Sequence, residues 1–410
     1  MTRVVVTGVG AISPLGIGID ALWNGLTEGR SGIRHIQHFD TSDLDVKIAG
    51  EVPDFQPRDF MDFKAARRMD RFAQFAVAAT REALAMSGLE ITEDNSERIG
   101  IMVNTGGGGF PTIEREVKVK ADQGAKRVSP FLIPMFAPNM ASCQVAIQFG
   151  IHGPTATSVA ACAAGIQAFV DAVHMIERGD ADVVITGGTE GGITPVAIAS
   201  LSNMGALSHN NDDPAGASRP FDTARDGFVF SEGAGIAILE SEEHAARRGA
   251  TALCVVGGGS YTCDAFHITA PDPEGKGATR AMKQAMKRAG LQPQDFQYVA
   301  AHATATSLGD IAETGAVKAA FGDHAYNLAL SANKSMVGHL LGAAGAVSSL
   351  ACILAIRDGI VPPTINLTNQ DPACDLDYTP NVARKLEVKH ALANGFGFGG
   401  QNAVSVFSAV

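Results

Sequence analysis

The amino-acid sequence predicts an α/β fold with helix-covered sheets, on three observations. Short β-rich runs alternate with helical stretches along the whole chain. Hydrophobic residues make up 46% and charged residues only 18%, enough apolar material for a large core in 410 residues. Gly is abundant at 46 residues while aromatics reach only 6%, so tight turns and closely packed backbones are expected.

The elements follow in order. Val4–Thr7 reads as a strand, and a helix starts at about Asp20. Lys64–Ser87 reads as one long helix, Arg98–Asn104 as a strand, and Pro138–Phe149 as a helix. Thr157–Ala161 is β-compatible and leads straight into a helix from Cys162 to about Arg178. Asp182–Thr186, Gly235–Glu240 and Leu253–Gly257 read as buried strands. Helices at about Ala278–Ala289 and from about Asp310 flank a strand at Tyr298–Ala301. A last helix, about Leu340–Arg357, precedes strands in the tail.

The chain also echoes itself. CAAGIQAFVDAVHMIERGDADVVITGG and HLLGAAGAVSSLACILAIRDGIVPPTINL share a small-residue opening and a similar apolar length. Two related halves, 1–250 and 251–410, would divide near Arg247–Thr251; two Ala/Gly-rich buried helices that look alike by chance are the alternative. No low-complexity linker separates them, so the halves should be tightly fused.

Composition excludes several functions. A net charge of −11 with no long basic stripe argues against nucleic acid and anionic membrane surfaces. No stretch reads as long and apolar enough to span a bilayer, and the start has no signal-peptide layout, so a cytoplasmic location is expected. The six Cys form no CxxC pair and match no metal spacing. Free thiols and no metal site are expected. Asn104-Thr-Gly-Gly-Gly-Gly109 lacks the Lys-Ser/Thr that a phosphate loop needs, which argues against nucleotide binding there.

Four stretches could carry chemistry. Thr157-Ser-Val-Ala-Ala-Cys162-Ala-Ala-Gly165 places Cys162 at the N-terminus of a buried helix, where free N–H groups and the helix dipole stabilise a thiolate. Taken alone, the motif is only moderately specific, and a core thiol on an apolar helix is the alternative. His302-Ala-Thr304-Ala-Thr306-Ser-Leu-Gly-Asp310 follows a strand and puts polar groups into a cleft; a hydrogen-bonded structural His is the alternative. Ser331-Ala-Asn-Lys334-Ser-Met-Val-Gly-His339 sets a Lys and a His in an apolar stretch, where each must find partners. Asn394-Gly-Phe396-Gly-Phe398-Gly-Gly400 permits special backbone angles and brings N–H groups near a ligand. A thiol at a helix N-terminus needs less help from a general base than a serine does.

At these motifs, in this order, the chain resembles the β-ketoacyl-acyl-carrier-protein synthases of the elongating type, from about Arg3 to Phe407. GGTEGGITPVAIASL, ASRPFDTARDGFVFSEGAG, DAFHITAPDPEG and VPPTINL support the likeness. The resemblance implies a thiolase-like fold with a duplicated, five-layered αβαβα core and a homodimer. It implies decarboxylative condensation of acyl- with malonyl-acyl-carrier protein in fatty acid elongation, with no cofactor beyond the carrier's phosphopantetheine. Cys162 would carry the acyl chain, backbone N–H groups of Cys162 and Phe398 would form the oxyanion hole, and His302 and His339 would assist decarboxylation. Lys334 would lie near His339 and pair with Glu313, with Asp310 in support. Thr304 and Thr306 would contact the phosphopantetheine arm, and Phe398 with Phe396 would gate the acyl and malonyl steps. Lys64, Arg67 and Arg68 on one helix, with Lys126 and Arg127, would dock the acidic carrier protein.

Two departures stand out. Ala303 and Ala305 occupy positions where the family usually has Gly, implying a tighter cleft. Gly107 stands where elongating synthases carry a bulky aliphatic residue, implying a less restricted acyl pocket. A polyketide ketosynthase shares the same catalytic residues. A non-catalytic chain-length partner typically lacks the nucleophile, which this chain retains.

Overall fold

The computed structural model describes residues 2–410. Ten strands form its main sheet: β1 (Val4–Ser13), β2 (Ile99–Asn104), β3 (Thr155–Ala156), β4 (Val183–Glu190), β5 (Gly233–Ser241), β6 (Cys254–Cys263), β7 (Tyr298–Ala300), β8 (Ala329–Ser331), β9 (His390–Gly397) and β10 (Gln401–Ser408). Their spatial order is β8-β7-β9-β10-β6-β1-β5-β4-β2-β3, with a short strand, Gly16–Ile17, paired to β1. Read outward from the β1/β6 seam, each side runs first, fifth, fourth, second, third strand of its own half. Two unrelated halves would not share so specific an order, so the echo in the sequence is a structural duplication.

The helices complete the correspondence. α1 (Arg71–Ser87) and α3 (Lys276–Ala289) cover the outer faces; α2 (Ala164–Glu177) and α4 (Ala344–Asp358) lie together between the two sheet halves. The result is the five-layered αβαβα thiolase-like arrangement. Strand alternation feeds three apolar layers. Ile236 and Ile238 of β5 face α1, while Ala237 and Leu239 face the central helices. In the second half Val404 and Val406 of β10 face α3, while Ala403 and Phe407 turn inward. Small residues set the layer spacing. A Cβ on Gly10 would stand 2.1 Å from Ala79 O, and one on Gly165 2.5 Å from Ala346 N, so α1 meets β1, and α2 meets α4, almost backbone to backbone.

Three expectations are corrected. Lys64–Ser87 is not one helix. Asp62 caps a short helix, Phe63–Ala66, by accepting from Lys64 N at 2.8 Å; Asp70 is extended at ψ 162, and α1 begins only at Arg71. Asp70 is drawn instead to Thr112 N at 3.0 Å, and Arg71 to Glu232 at 2.6 and 2.7 Å. The β-compatible run Thr157–Ala161 before Cys162 is not a strand: the two-residue strand Thr155–Ala156 ends before it, and Ala161 already belongs to a 3₁₀ turn. Finally, Leu341–Asp358 is long and apolar enough to cross a membrane by length and composition, but 78% of it is buried inside the protein, where it forms the central layer.

Candidate active site

The site lies where strand ends and helix starts of both halves meet. Cys162 sits in a single 3₁₀ turn, Ala161–Ala163, directly before α2. Ala161 takes a left-handed φ of 45°, which costs about 1 kcal/mol for an L-residue and throws the Cys162 side chain out of the helix path into a cavity of about 270 Å³. Thr304, Thr306, Phe396, Phe398 and both histidines line that cavity. His302 follows β7, and Thr304 and Thr306 share a hydroxyl contact of 3.1 Å. Phe396 stands 5.6 Å from the His302 ring, centroid to centroid.

Burial dominates the electrostatics. Cys162 is 5% exposed, and burial pushes its thiol up to about 11. The Lys334 charge and the Phe398 and Cys162 N–H groups pull it down, and the Glu190 charge opposes them. The helix-terminus thiolate expected from the sequence is therefore not the resting form: desolvation outweighs the dipole. His302 and His339 are held well below the usual imidazole range, first by burial and then by the Lys334 charge; His339 also lowers His302. Both rings are neutral. Burial lowers Lys334 to about 8, against the opposing pull of Glu313, Cys162 and Asp310.

The histidine tautomers follow from their partners. Leu341 N–H donates to His339 Nδ1 at 3.2 Å, so the proton of this neutral ring sits on Nε2. The Lys334 ammonium donates to His302 O at 2.5 Å and lies 3.5 Å from His302 Nδ1, which assigns the His302 proton to Nε2 as well. The rings stand edge to face at 5.5 Å, and Phe228 walls His339 at 5.0 Å. Both rings, with their protons assigned to Nε2, line the cavity that Cys162 also lines.

Lys334 departs from expectation. It lies against His302, not His339, and Glu313 is spent elsewhere. Glu313 accepts from His302 N at 2.8 Å, Ala303 N at 2.7 Å and Asn394 Nδ2 at 2.9 Å, so it reaches Lys334 only through its field. Burial still raises the Glu313 carboxyl despite these donors. Asp310 accepts from Phe221 N at 2.8 Å and Ala305 N at 3.1 Å, with Arg225 at 3.7 Å; burial lifts it to about 7. The two carboxylates clamp the backbone that carries His302. Ala303 and Ala305 have φ of 34° and 63°, which explains why glycine suits those positions.

Gly107 does not open the acyl pocket in the way expected. A Cβ there would stand 2.2 Å from Phe110 Cε2, so the Phe110 ring already fills the space that a side chain would take. The basic residues are brought together, though not on one helix. Lys64 is on the Phe63–Ala66 helix, Arg67 and Arg68 follow it, and Lys126 and Arg127 lie on a 3₁₀ turn, Ala125–Arg127. All five are exposed. The Arg68 guanidinium covers the Phe131 ring at 4.9 Å and so joins the two stretches.

Sequence reasoning missed Glu190, Arg225, Phe228 and Asn394 as parts of the site. The signal for Glu190 was a lone acid between glycine pairs in GGTEGG.

A family model described as "Beta-ketoacyl synthase, N-terminal domain" matches residues 1–245, and one described as "Beta-ketoacyl synthase, C-terminal domain" matches residues 253–368. A 3-oxoacyl-[acyl-carrier-protein] synthase 2 of Synechocystis sp. is 50% identical over 405 residues, 99% of this chain and 97% of that protein. Among solved structures, the ishigamide ketosynthase/chain length factor superposes with a TM-score of 0.93 at 35% identity, covering 100% of this chain and 99% of that one. A type II PKS acyl-carrier protein in complex with its ketosynthase, bound to the hexaketide, gives 0.91 at 31% identity, covering 100% of each chain.

Proposed function

The chain belongs to the beta-ketoacyl synthase family, and on that footing we propose that it is a 3-oxoacyl-acyl-carrier-protein synthase of fatty acid elongation. It joins acyl- to malonyl-acyl-carrier protein by decarboxylative condensation. The observation that carries this is the pair of neutral histidines presenting Nε2–H groups beside a buried thiol.

The residues divide the work in two steps. In the first, Cys162 attacks the acyl thioester carbonyl, the C–S bond to phosphopantetheine breaks, and the thiol proton leaves with the departing sulfur. The N–H groups of Cys162 and Phe398 hold the developing oxyanion. In the second, malonyl thioester binds with its carbonyl oxygen at His302 and His339. The bond to its carboxylate breaks, CO₂ leaves, and the electron pair moves into an enolate stabilised by the two Nε2–H donors. Protonated imidazoles would hand that enolate a proton too readily, which is why neutral rings suit the chemistry. The enolate carbon attacks the acyl-Cys162 carbonyl, the C–S bond breaks, its electron pair returns to the Cys162 sulfur, which takes a proton from solvent to restore the thiol, and the 3-oxoacyl chain leaves on the carrier. No cofactor is needed, because loss of CO₂ supplies the carbanion.

Identity favours fatty acid over polyketide substrates: 50% to the synthase 2 of Synechocystis sp. against 31% to the type II PKS ketosynthase. Thr304 and Thr306 lie at the cavity wall suited to phosphopantetheine, and Phe398 to a gate. The carrier would dock on Lys64, Arg67, Arg68, Lys126 and Arg127, with exposed Phe63 and Phe131 between the charges. The exposed edge strand β3 and the neighbouring exposed Val159 and Ile147 suit a second copy, giving a homodimer. A cytoplasmic location fits these substrates. Incubation with acyl- and malonyl-carrier protein tests the reading: release of CO₂ with a 3-oxoacyl carrier two carbons longer is expected, and its absence with both carriers loaded contradicts it.

A further inference from the structure

Glu190 ends β4, is fully buried, and takes no part in the two steps above. Its Oε2 accepts from Gly106 N at 2.9 Å and from Gly342 N at 3.1 Å. Gly342 follows Leu341, whose N–H holds His339 Nδ1 at 3.2 Å. Leu341 takes a left-handed φ of 42°, so the turn is strained and needs an external hold. No slack exists around it: a Cβ on Gly342 would stand 2.1 Å from Gly106 N, and one on Gly106 2.7 Å from Glu190 Oε2. Glu190 Oε1 has only Thr105 Oγ1, at 3.5 Å. One oxygen atom therefore spans the Gly106 loop of the first half and the histidine-bearing turn of the second.

We infer that Glu190 is a positioning residue: its Oε2 bridge fixes the Leu341–Gly342 turn, and through the Leu341 N–H it sets the ring orientation and tautomer of His339. This rests on the proposed condensation. The bridge uses one acceptor oxygen at one reach, which separates it from a simple charge effect. Glu190→Gln keeps an oxygen at that position, and its amide NH₂ can donate to Thr105 Oγ1. Glu190→Asp keeps the charge but falls short of both N–H groups by one methylene.

The test measures two half-reactions separately, by mass for acylation of Cys162 from acyl-carrier protein, and by CO₂ release from malonyl-carrier protein. Glu190→Gln should keep decarboxylation within about threefold of the native enzyme. Glu190→Asp should slow it by about tenfold or more, with Cys162 acylation not slowed and with altered ¹⁵N shifts of the His339 ring. Asp outperforming Gln, or acylation falling as far as decarboxylation, overturns the inference. If the native enzyme itself neither acylates Cys162 nor releases CO₂, the condensing function fails instead, so the two failures are distinguishable.

Discussion

The turns before α2 and α4 have nearly the same backbone and opposite uses. Ala161 and Leu341 take φ of 45° and 42°; Ala163 and Ala343 take (−85°, −9°) and (−83°, −18°); Ala164 and Ala344 take (−54°, −44°) and (−57°, −45°). The central residue of the first is Cys162, whose side chain enters the cavity. That of the second is Gly342, pressed against Gly106 and capped by Glu190. Duplication thus supplied two buried helix starts of the same shape. One carries the thiol proposed as nucleophile; the other forms a floor beside a histidine. The difference teaches that the turn supplies placement and the side chain supplies chemistry.

Breaking the first turn's chemistry should have the largest effect. Cys162→Ala should lower condensation by on the order of 10⁴-fold while leaving the melting temperature nearly unchanged, since the loss is confined to one sulfur. A coincident collapse of stability would mean that the two turns differ in folding role, not only in chemistry. Breaking the second turn should do the reverse. Gly342→Ala must displace the backbone of Gly106, and overpacking of this kind costs about 1–3 kcal/mol or more, read by urea denaturation.

Lys334 ties the halves electrostatically. Its amine falls to about 8, so the decarboxylation rate should decline as pH rises through that value, when the ammonium stops donating to His302. Lys334→Met should lower the rate by about 10²-fold or more and remove that alkaline limb from the pH profile. On the acid side, the depressed histidines stay neutral below their unfolded value of 6.5. Their neutral-form contribution is present above 6.5 and is lost as pH falls through the lowered folded values. Activity should therefore hold across pH 6.5 and decline only in stronger acid, whereas stability starts to fall below 6.5, where the unfolded chain takes up the protons first. A decline centred at 6.5 would mean solvated rings.

The smallest expected effect is at Ala305. Ala305→Gly relieves a left-handed residue at φ 63°, worth about 1 kcal/mol, but loses a buried methyl and loosens the unfolded chain by similar amounts. Stability should change by less than about 1 kcal/mol, with condensation unaltered.

Much of this was legible in the sequence. The alternation of strands and helices gave the α/β class, and Cys162, His302 and His339 line one cavity, with Lys334 against His302, because each follows a recognisable strand end or buried helix start. What was not legible depends on distances across the fold. The break at Arg67–Asp70 arises because Asp70 and Arg71 are claimed by Thr112 and Glu232, far along the chain. The Lys334 partner was misassigned because Glu313 is saturated by backbone donors. For Glu190 the lone acid in GGTEGG was the one local signal; its role depends on two glycines, Gly106 and Gly342, that the fold brings together. The raised Cys162 thiol reflects burial, which a local motif does not report.

The central claim is that Cys162 holds the acyl chain while the histidines make the nucleophile that removes it. The direct measurement is mass analysis of the Cys162 peptide after acyl-carrier protein alone, then after addition of malonyl-carrier protein. A thioester adduct that forms on Cys162 and disappears with release of CO₂ and the extended product is predicted. Condensation that persists in Cys162→Ala, or an adduct at any other residue, would contradict it.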